Sequence, residues 1–179
     1  MRRYTKWVLV PLVLLLCLSA GATAGTVTNA VSGTLDTWIS VAADTAFNAG
    51  AISAAINPTN PSYRKCDCIL EVNTFAAAPA VNGNVVGWLV RSLDANVTYE
   101  DGSATVFPAR APDLVFPLRN VATAQKVTFT GLDLPRQYGG VASFKLVIRN
   151  TAGTGATMNG STGGVPWTVK CRTYTEQVN

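Results

Sequence analysis

Ten carboxylates, four cysteines, four tryptophans and not one histidine make up the reactive repertoire of this 179-residue chain. The missing histidine removes Ser-His and Cys-His nucleophilic catalysis, His-ligated zinc and imidazole-based pH switching. A glycosidase needs only two carboxylates, one acid and one base or nucleophile. Of Asp36, Asp44, Asp67, Glu71, Asp94, Glu100, Asp101, Asp113, Asp133 and Glu176, no two are marked as a pair by spacing, and most fall in expected turns. The residues therefore read as non-enzymatic, with no cofactor and no metal. Asp94, Glu100 and Asp101 gather oxygen ligands near Gly102, as calcium requires, but they lack a regular ligand spacing and read as a solvated turn.

Aromatic faces stack on the apolar faces of sugars, so Trp38, Trp88 and Trp167 deserve weighing as a glycan platform. Trp88 lies inside an apolar run and is expected in the core. Trp38 and Trp167 remain candidates for stacking, against the usual fate of tryptophan in a small domain, which is burial.

The cysteines divide by position. Cys17 lies in an apolar N-terminal stretch behind Leu16, which is too large for a lipidation signal. Cys66, Cys68 and Cys171 remain. Cys66 and Cys68 are two apart in an expected strand and share a face, which disfavours a bridge between them. Cys68 with Cys171 is the candidate disulfide, with Cys66 as the alternative partner, and three reduced buried thiols as the other reading. Closing a loop of about 100 residues is worth roughly 4–5 kcal/mol in the chain-entropy model.

Residues 1–24 change how the rest is read. Arg2, Arg3 and Lys6 precede an apolar run from Trp7 to Leu18, interrupted only by Pro11, and small residues follow as far as Ala22-Thr23-Ala24. That order is the pattern of a cleavable secretory leader, or of a short membrane-inserting segment. The apolar run is about twelve residues, short against the roughly 30 Å of a hydrocarbon core. Three of the 14 basic residues and no acids lie in 1–24, so 25–179 holds 11 basic against 10 acidic side chains, a net charge of +1. Such a balance gives no electrostatic case for nucleic acid.

The elements that must position these residues are strands. Residues 65–75, 84–93, 126–130, 141–150 and 165–177 read as strands, and 42–49 as a helical stretch. Pro108, Pro112 and Pro117 make 106–117 a long loop or an interrupted edge strand. Asn57 to Ser62 and the Gly/Thr/Asn-rich 151–164 read as loops, and with 106–117 they are the candidate presenting loops. Short strands at regular spacing, without helix–strand alternation, predict an all-β fold. The expectation is one antiparallel β-sandwich or jelly-roll domain over 25–179.

One set of motifs carries a family resemblance. Tyr99-Glu100-Asp101-Gly102 is followed by a Pro-rich segment ending in Phe116-Pro117-Leu118-Arg119. Leu134-Pro135 and the strand Phe144-Lys145-Leu146-Val147-Ile148-Arg149-Asn150-Thr151-Ala152-Gly153 come next, and Gly33-Thr34-Leu35-Asp36-Thr37-Trp38 fits the opening. In this order they resemble small β-sandwich virion structural proteins of tailed bacteriophages, associated with tail or fibre. The resemblance implies a carbohydrate-binding-like fold, other virion proteins or further copies of itself as partners, and no catalytic residue. The leader departs from that family, whose members assemble in the cytoplasm. A downstream start, an unusual exported or tethered subunit, or a secreted or periplasmic lectin-like module cleaved near Ala24 and contacting a surface glycan would each account for it.

Overall fold

The computed structural model describes residues 27–31, 35–57, 63–92, 98–137, 140–141, 143–161 and 164–178. The leader with Cys17, most of the 57–62 loop, and Asp94 lie outside them. The described strands are β1 (Val27–Val31), β2 (Asp36–Val41), β3 (Gly50–Ile52), β4 (Lys65–Val72), β5 (Thr74–Phe75), β6 (Asn84–Arg91), β7 (Leu114–Pro117), β8 (Gln125–Asp133), β9 (Arg136–Gln137), β10 (Gly140–Val141), β11 (Phe144–Thr151), β12 (Met158–Asn159) and β13 (Trp167–Val178). No α-helix occurs among the described residues.

The longer strands form two antiparallel sheets. One runs β2-β13-β4-β8, with β1 paired to the distal half of β13; the other runs β3-β11-β6-β7. Strand β4 shows why the sheets face each other. Cys66, Cys68, Leu70 and Val72 point inward, while Lys65, Asp67, Ile69 and Glu71 alternate with them on the outer face, as the two-residue side-chain period of a strand dictates. Phe144, Leu146 and Ile148 do the same from β11. These residues meet Phe116, Leu114 and Trp167 in one core shared by both sheets, giving an all-β, sandwich-like fold. At 25 cal/mol per Å² of apolar area, each such side chain contributes about 1.5–3 kcal/mol by burial.

Strand β6 is apolar on both faces, and both are covered. Val85 and Leu89 join the main core. Trp88 and Val90 point the other way and pack with Val147 in a second cluster beneath Tyr99 and Phe107. Phe107 stacks on Trp88 with ring centroids 5.9 Å apart, and the Trp88 Nε1–H donates to the Arg110 carbonyl at 3.0 Å. The 98–113 connection is thus folded down as a cover. The proline-rich 106–117 stretch is divided: its first part belongs to the cover, and its end is edge strand β7, where proline leaves no ladder donor missing.

The helix expected over 42–49 is absent. Thr45 bridges to Met158 instead, exchanging backbone bonds at 2.8 and 3.0 Å, and the chain turns at Asn48 with φ 65°. Alanine content favours helix, but the backbone groups a helix would pair internally are taken by a neighbouring connection.

Candidate interaction surface

The sequence-derived candidates occupy different places. In the β4–β13 register Cys68 lies directly opposite Cys171, with Cα atoms 4.1 Å apart, and the two form a disulfide. Cys66 lies one step along the same face, opposite Thr173, and is a free buried thiol with its Sγ 4.0 Å from that of Cys68. Burial pushes the Cys66 thiol well above its ordinary range, helped by the nearby carboxylates of Asp67 and Asp133, so it stays protonated and unreactive.

Trp167 is 0% exposed and donates its Nε1–H to the Thr45 hydroxyl at 3.1 Å. It has no face on which a sugar could stack, which corrects the expectation for that residue. Trp38 is half-buried, edge-on to Phe144 at 5.4 Å. The Glu100 carboxylate is held by Arg91 at 2.6 Å and by Arg110 at 3.9 Å. These residues border a cleft of about 340 Å³ in which Asp113 also binds Arg110, at 2.5 Å. Its charges are matched within the chain. No group of three or more metal-ligating side chains occurs among the described residues.

What the fold does bring together lies at one end of the molecule. The pairings Trp167 to Val41, Thr168 to Glu71 and Val72 to Gln125 place four chain connections at the same end of the first sheet, and Thr151 to Asn84 and Asn84 to Pro117 align their other ends in the second. The connections are 42–49, 73–83, 118–124 and 152–166. They are locked to one another by hydrogen bonds. The 42–49 and 152–166 connections meet through Thr45 with Met158, and through the Asp44 carboxylate, whose Oδ1 accepts from Gly160 N at 3.0 Å, Ser161 N at 3.2 Å and the Ser161 hydroxyl at 2.9 Å. These donors hold the Asp44 carboxyl below its usual range. The 152–166 and 73–83 connections meet through Ala80 N to Ala152 O at 2.7 Å and the β5–β12 pair. The 73–83 and 118–124 connections meet through Phe75 N to Ala122 O at 2.8 Å and Leu118 N to Gly83 O at 2.9 Å, and through the Asn120 amide bound to the Pro79 carbonyl.

Two buried amides reinforce the array. Asn150 gives its Nδ2 hydrogens to Thr45 O at 3.0 Å and Ala156 O at 2.8 Å, and its Oδ1 accepts from Ala152 N at 2.9 Å. Gln125 donates to Arg119 O and Val121 O and accepts from Arg119 N.

This end carries almost no charge. Across the four connections the only ionised side chains are Asp44 and Arg119. The outer face of the first sheet is different in kind: Glu71 lies between Lys126 at 2.9 Å and Lys170 at 2.5 Å, and Arg172 pairs with Asp67 at 3.2 Å. Each connection at the uncharged end also exposes one large apolar side chain. Phe47 is 37% exposed, Val81 78%, Val121 38% and Val165 51%. A rigid surface, low in charge and tipped with apolar groups, has the composition of an interface centre. It was not identified from the sequence, because its parts are scattered through 42–166; the traceable signal was four turn regions rich in Ala, Gly, Thr and Asn and nearly free of charge. Comparison with known proteins finds no matching family model, no matching curated protein and no matching solved structure.

Proposed function

We propose that this chain is a non-enzymatic structural subunit of a bacteriophage particle, on the tail or the capsid surface, assembling with other virion proteins or with further copies of itself. The observation that carries the reading is the interlocked, charge-depleted end. Its loops are already fixed by hydrogen bonds, so docking there costs little ordering entropy, and each connection leaves one large apolar side chain exposed there. The strand order adds fold-level support. Counting only β2, β3, β4, β6, β7, β8, β11 and β13, the two sheets run first-eighth-third-sixth and second-seventh-fourth-fifth. We read that order as a jelly roll, an architecture found in viral capsid and lectin domains, with the restraint that fold alone does not fix function.

A second reading, an exported carbohydrate-binding module, is favoured by the Cys68–Cys171 bridge, because disulfides persist in oxidising compartments. In that reading Trp38 is the remaining stacking candidate, and Trp38→Ala should abolish glycan binding while leaving the fold intact. The deciding experiment is mass spectrometry of purified particles, periplasm and medium from cells carrying the gene in its native context, with the N-terminal peptide mapped. Stoichiometric peptides in particles support the structural subunit. A protein beginning at Gly25, present in periplasm or medium and absent from particles, removes it in favour of the exported module.

A further inference from the structure

We infer that the open edge of β8 pairs antiparallel with β8 of a second copy of this chain, about a two-fold axis at Thr128, joining the first sheets of two copies into one. The inference rests on the structural-subunit reading, which allows further copies of the chain as partners. It concerns a lateral edge and leaves the uncharged end to other contacts.

The edges of the two sheets are not alike. In the second sheet β3 is only three residues long, and β7 is four and ends in Pro117. Beyond β7 the edge of β6 is closed by side chains. The register that sets Gly87 opposite Leu114 would bring Pro112 opposite Leu89, and proline has no N–H to exchange. Asp113 and Arg110 stand in for the missing strand. The Asp113 carboxylate accepts from Leu89 N at 2.7 Å, the Arg110 guanidinium donates to Leu89 O at 2.9 Å, and the two side chains bind each other at 2.5 Å. Short strands, proline and charge are the usual means of keeping an edge from pairing with another chain. In the first sheet, β2 is interrupted by a register shift opposite Val169 and Lys170, and a bulge blunts an edge in the same way.

The middle of β8 lacks these devices. The strand runs nine residues without proline and pairs only with β4 among the described residues. Between Lys126 and Asp133 it carries no charge. Its ladder is regular from Gln125 to Phe129, and the one register shift falls after Phe129. Val127 and Phe129 pack against the core yet stay half-buried, because on one side they have no neighbouring strand. Phe129, Gly131, Leu132 and Asp133 border a cleft of about 270 Å³, so open space lies along the second half of this edge.

The strand also complements itself. With Thr128 of one copy opposite Thr128 of the other, Val127 meets Phe129 twice on the inward face, a β-branched side chain beside an aromatic ring. On the outward face the two threonines meet, and Lys126 meets Thr130 twice. No charge faces a like charge, as an isologous contact requires. Moving the axis by one residue sets Val127 against Gly131, or Phe129 against Gln125, and loses that match. In strand addition of this kind, main-chain hydrogen bonds supply affinity and side-chain pairing fixes the register.

The test is sedimentation analysis of the purified protein over a wide concentration range, with two variants at Thr128, an exposed edge position where a charged side chain is tolerated. Thr128→Lys and Thr128→Glu each set two like charges opposite one another. Each alone should weaken association about five- to tenfold, with circular dichroism unchanged. An equal mixture of the two variants should associate at least as tightly as wild type, since opposite charges then meet at the axis. That recovery is specific to Thr128 facing itself. In the wild type, β8 amides should gain protection from hydrogen exchange as concentration rises.

A wild-type protein that remains monomeric at roughly 100 µM overturns the inference. So does a dimer that neither variant weakens, or one weakened by both and not restored in the mixture. None of these results touches the structural-subunit reading, which stands or falls on particle composition.

Discussion

Asn150 offers the sharpest measurement of what holds the uncharged end together. Its carboxamide is fully buried and serves three backbone groups. Replacing it with alanine affects them unequally. Thr45 O keeps a bond from Met158 N at 3.0 Å, so only one net hydrogen bond is lost there, about 1 kcal/mol. Ala152 N and Ala156 O, both in fully buried residues, are left without the partner that satisfied them, and each orphan costs about 1–3 kcal/mol. The sum is about 3–7 kcal/mol, a large share of the roughly 5–15 kcal/mol that stabilises an ordinary domain. Urea unfolding of Asn150→Ala should show the unfolding free energy falling by that amount, through a lower midpoint at unchanged slope. Hydrogen exchange should locate the damage: the amides of Asn48 and Ala80, which bond to Asn150 O and Ala152 O, should lose protection before those of β4 or β13. A loss below about 1 kcal/mol with those amides still protected would refute the reasoning, because it would mean that the connections hold their places without the buried amide.

The other predictions concern the body of the domain. Replacing Cys68 and Cys171 by alanine removes a bridge spanning 103 residues and should lower stability by about 4–5 kcal/mol, read as a denaturation midpoint against the oxidised protein. Lys170 and Lys126 hold the Glu71 carboxyl down to about 2, below its unfolded value, so its contribution is complete above about pH 4.5 and fades as pH falls toward 2; the stability gap between wild type and Glu71→Gln should narrow over that window, and a gap constant from pH 7 to 2 would contradict the ion pairs. Phe107→Ala removes the ring stacked on Trp88 and should red-shift tryptophan emission, with a cost of about 3–5 kcal/mol if the ring is as well packed as a core residue and less in proportion to its partial exposure.

How far the sequence could be read depended on whether the information was local. In β4 and β11 the apolar residues alternate along a short stretch, and burial follows that alternation residue by residue. The bridge was legible only in part: the sequence offered Cys68 with Cys171, kept Cys66 as the alternative and left reduced thiols as the other reading, and the choice lies in a register set across 103 residues, which places Cys68 opposite Cys171 and Cys66 opposite Thr173. The apolar run of β6 was recognisable as buried, but its sequence does not say that Trp88 faces away from the main core, since that depends on the 98–113 cover folding back across the sheet. The 42–49 stretch misled for a related reason: its alanines favour helix, and the partners that hold it otherwise, Met158, Asn150 and Gly160, lie more than 100 residues away. Trp167 likewise faces Thr45 across 122 residues, so only the folded chain shows that its ring is enclosed.

The same distance explains why the uncharged end is rigid. Four loops of small residues, left to themselves, would be costly to order: fixing each residue's backbone takes about 1–2 kcal/mol. Here that cost is met within folding itself, because each connection is the hydrogen-bond partner of the next. The contacts are close enough to restrict side-chain identity. A Cβ on Gly160 would lie 2.4 Å from Ala43 O, and one on Gly83 would lie 2.5 Å from Ala152 O. Glycine at these two points therefore serves approach between connections, which tightens the array, although glycine in a loop is commonly taken as a source of flexibility. With backbone groups absorbed in these internal bonds, what the surface has left to offer a partner is shape, four apolar tips and two opposite charges at its margins. That is a surface suited to fixed contact between folded proteins, and poorly suited to capturing small polar ligands, which need convergent hydrogen-bonding groups held open for them.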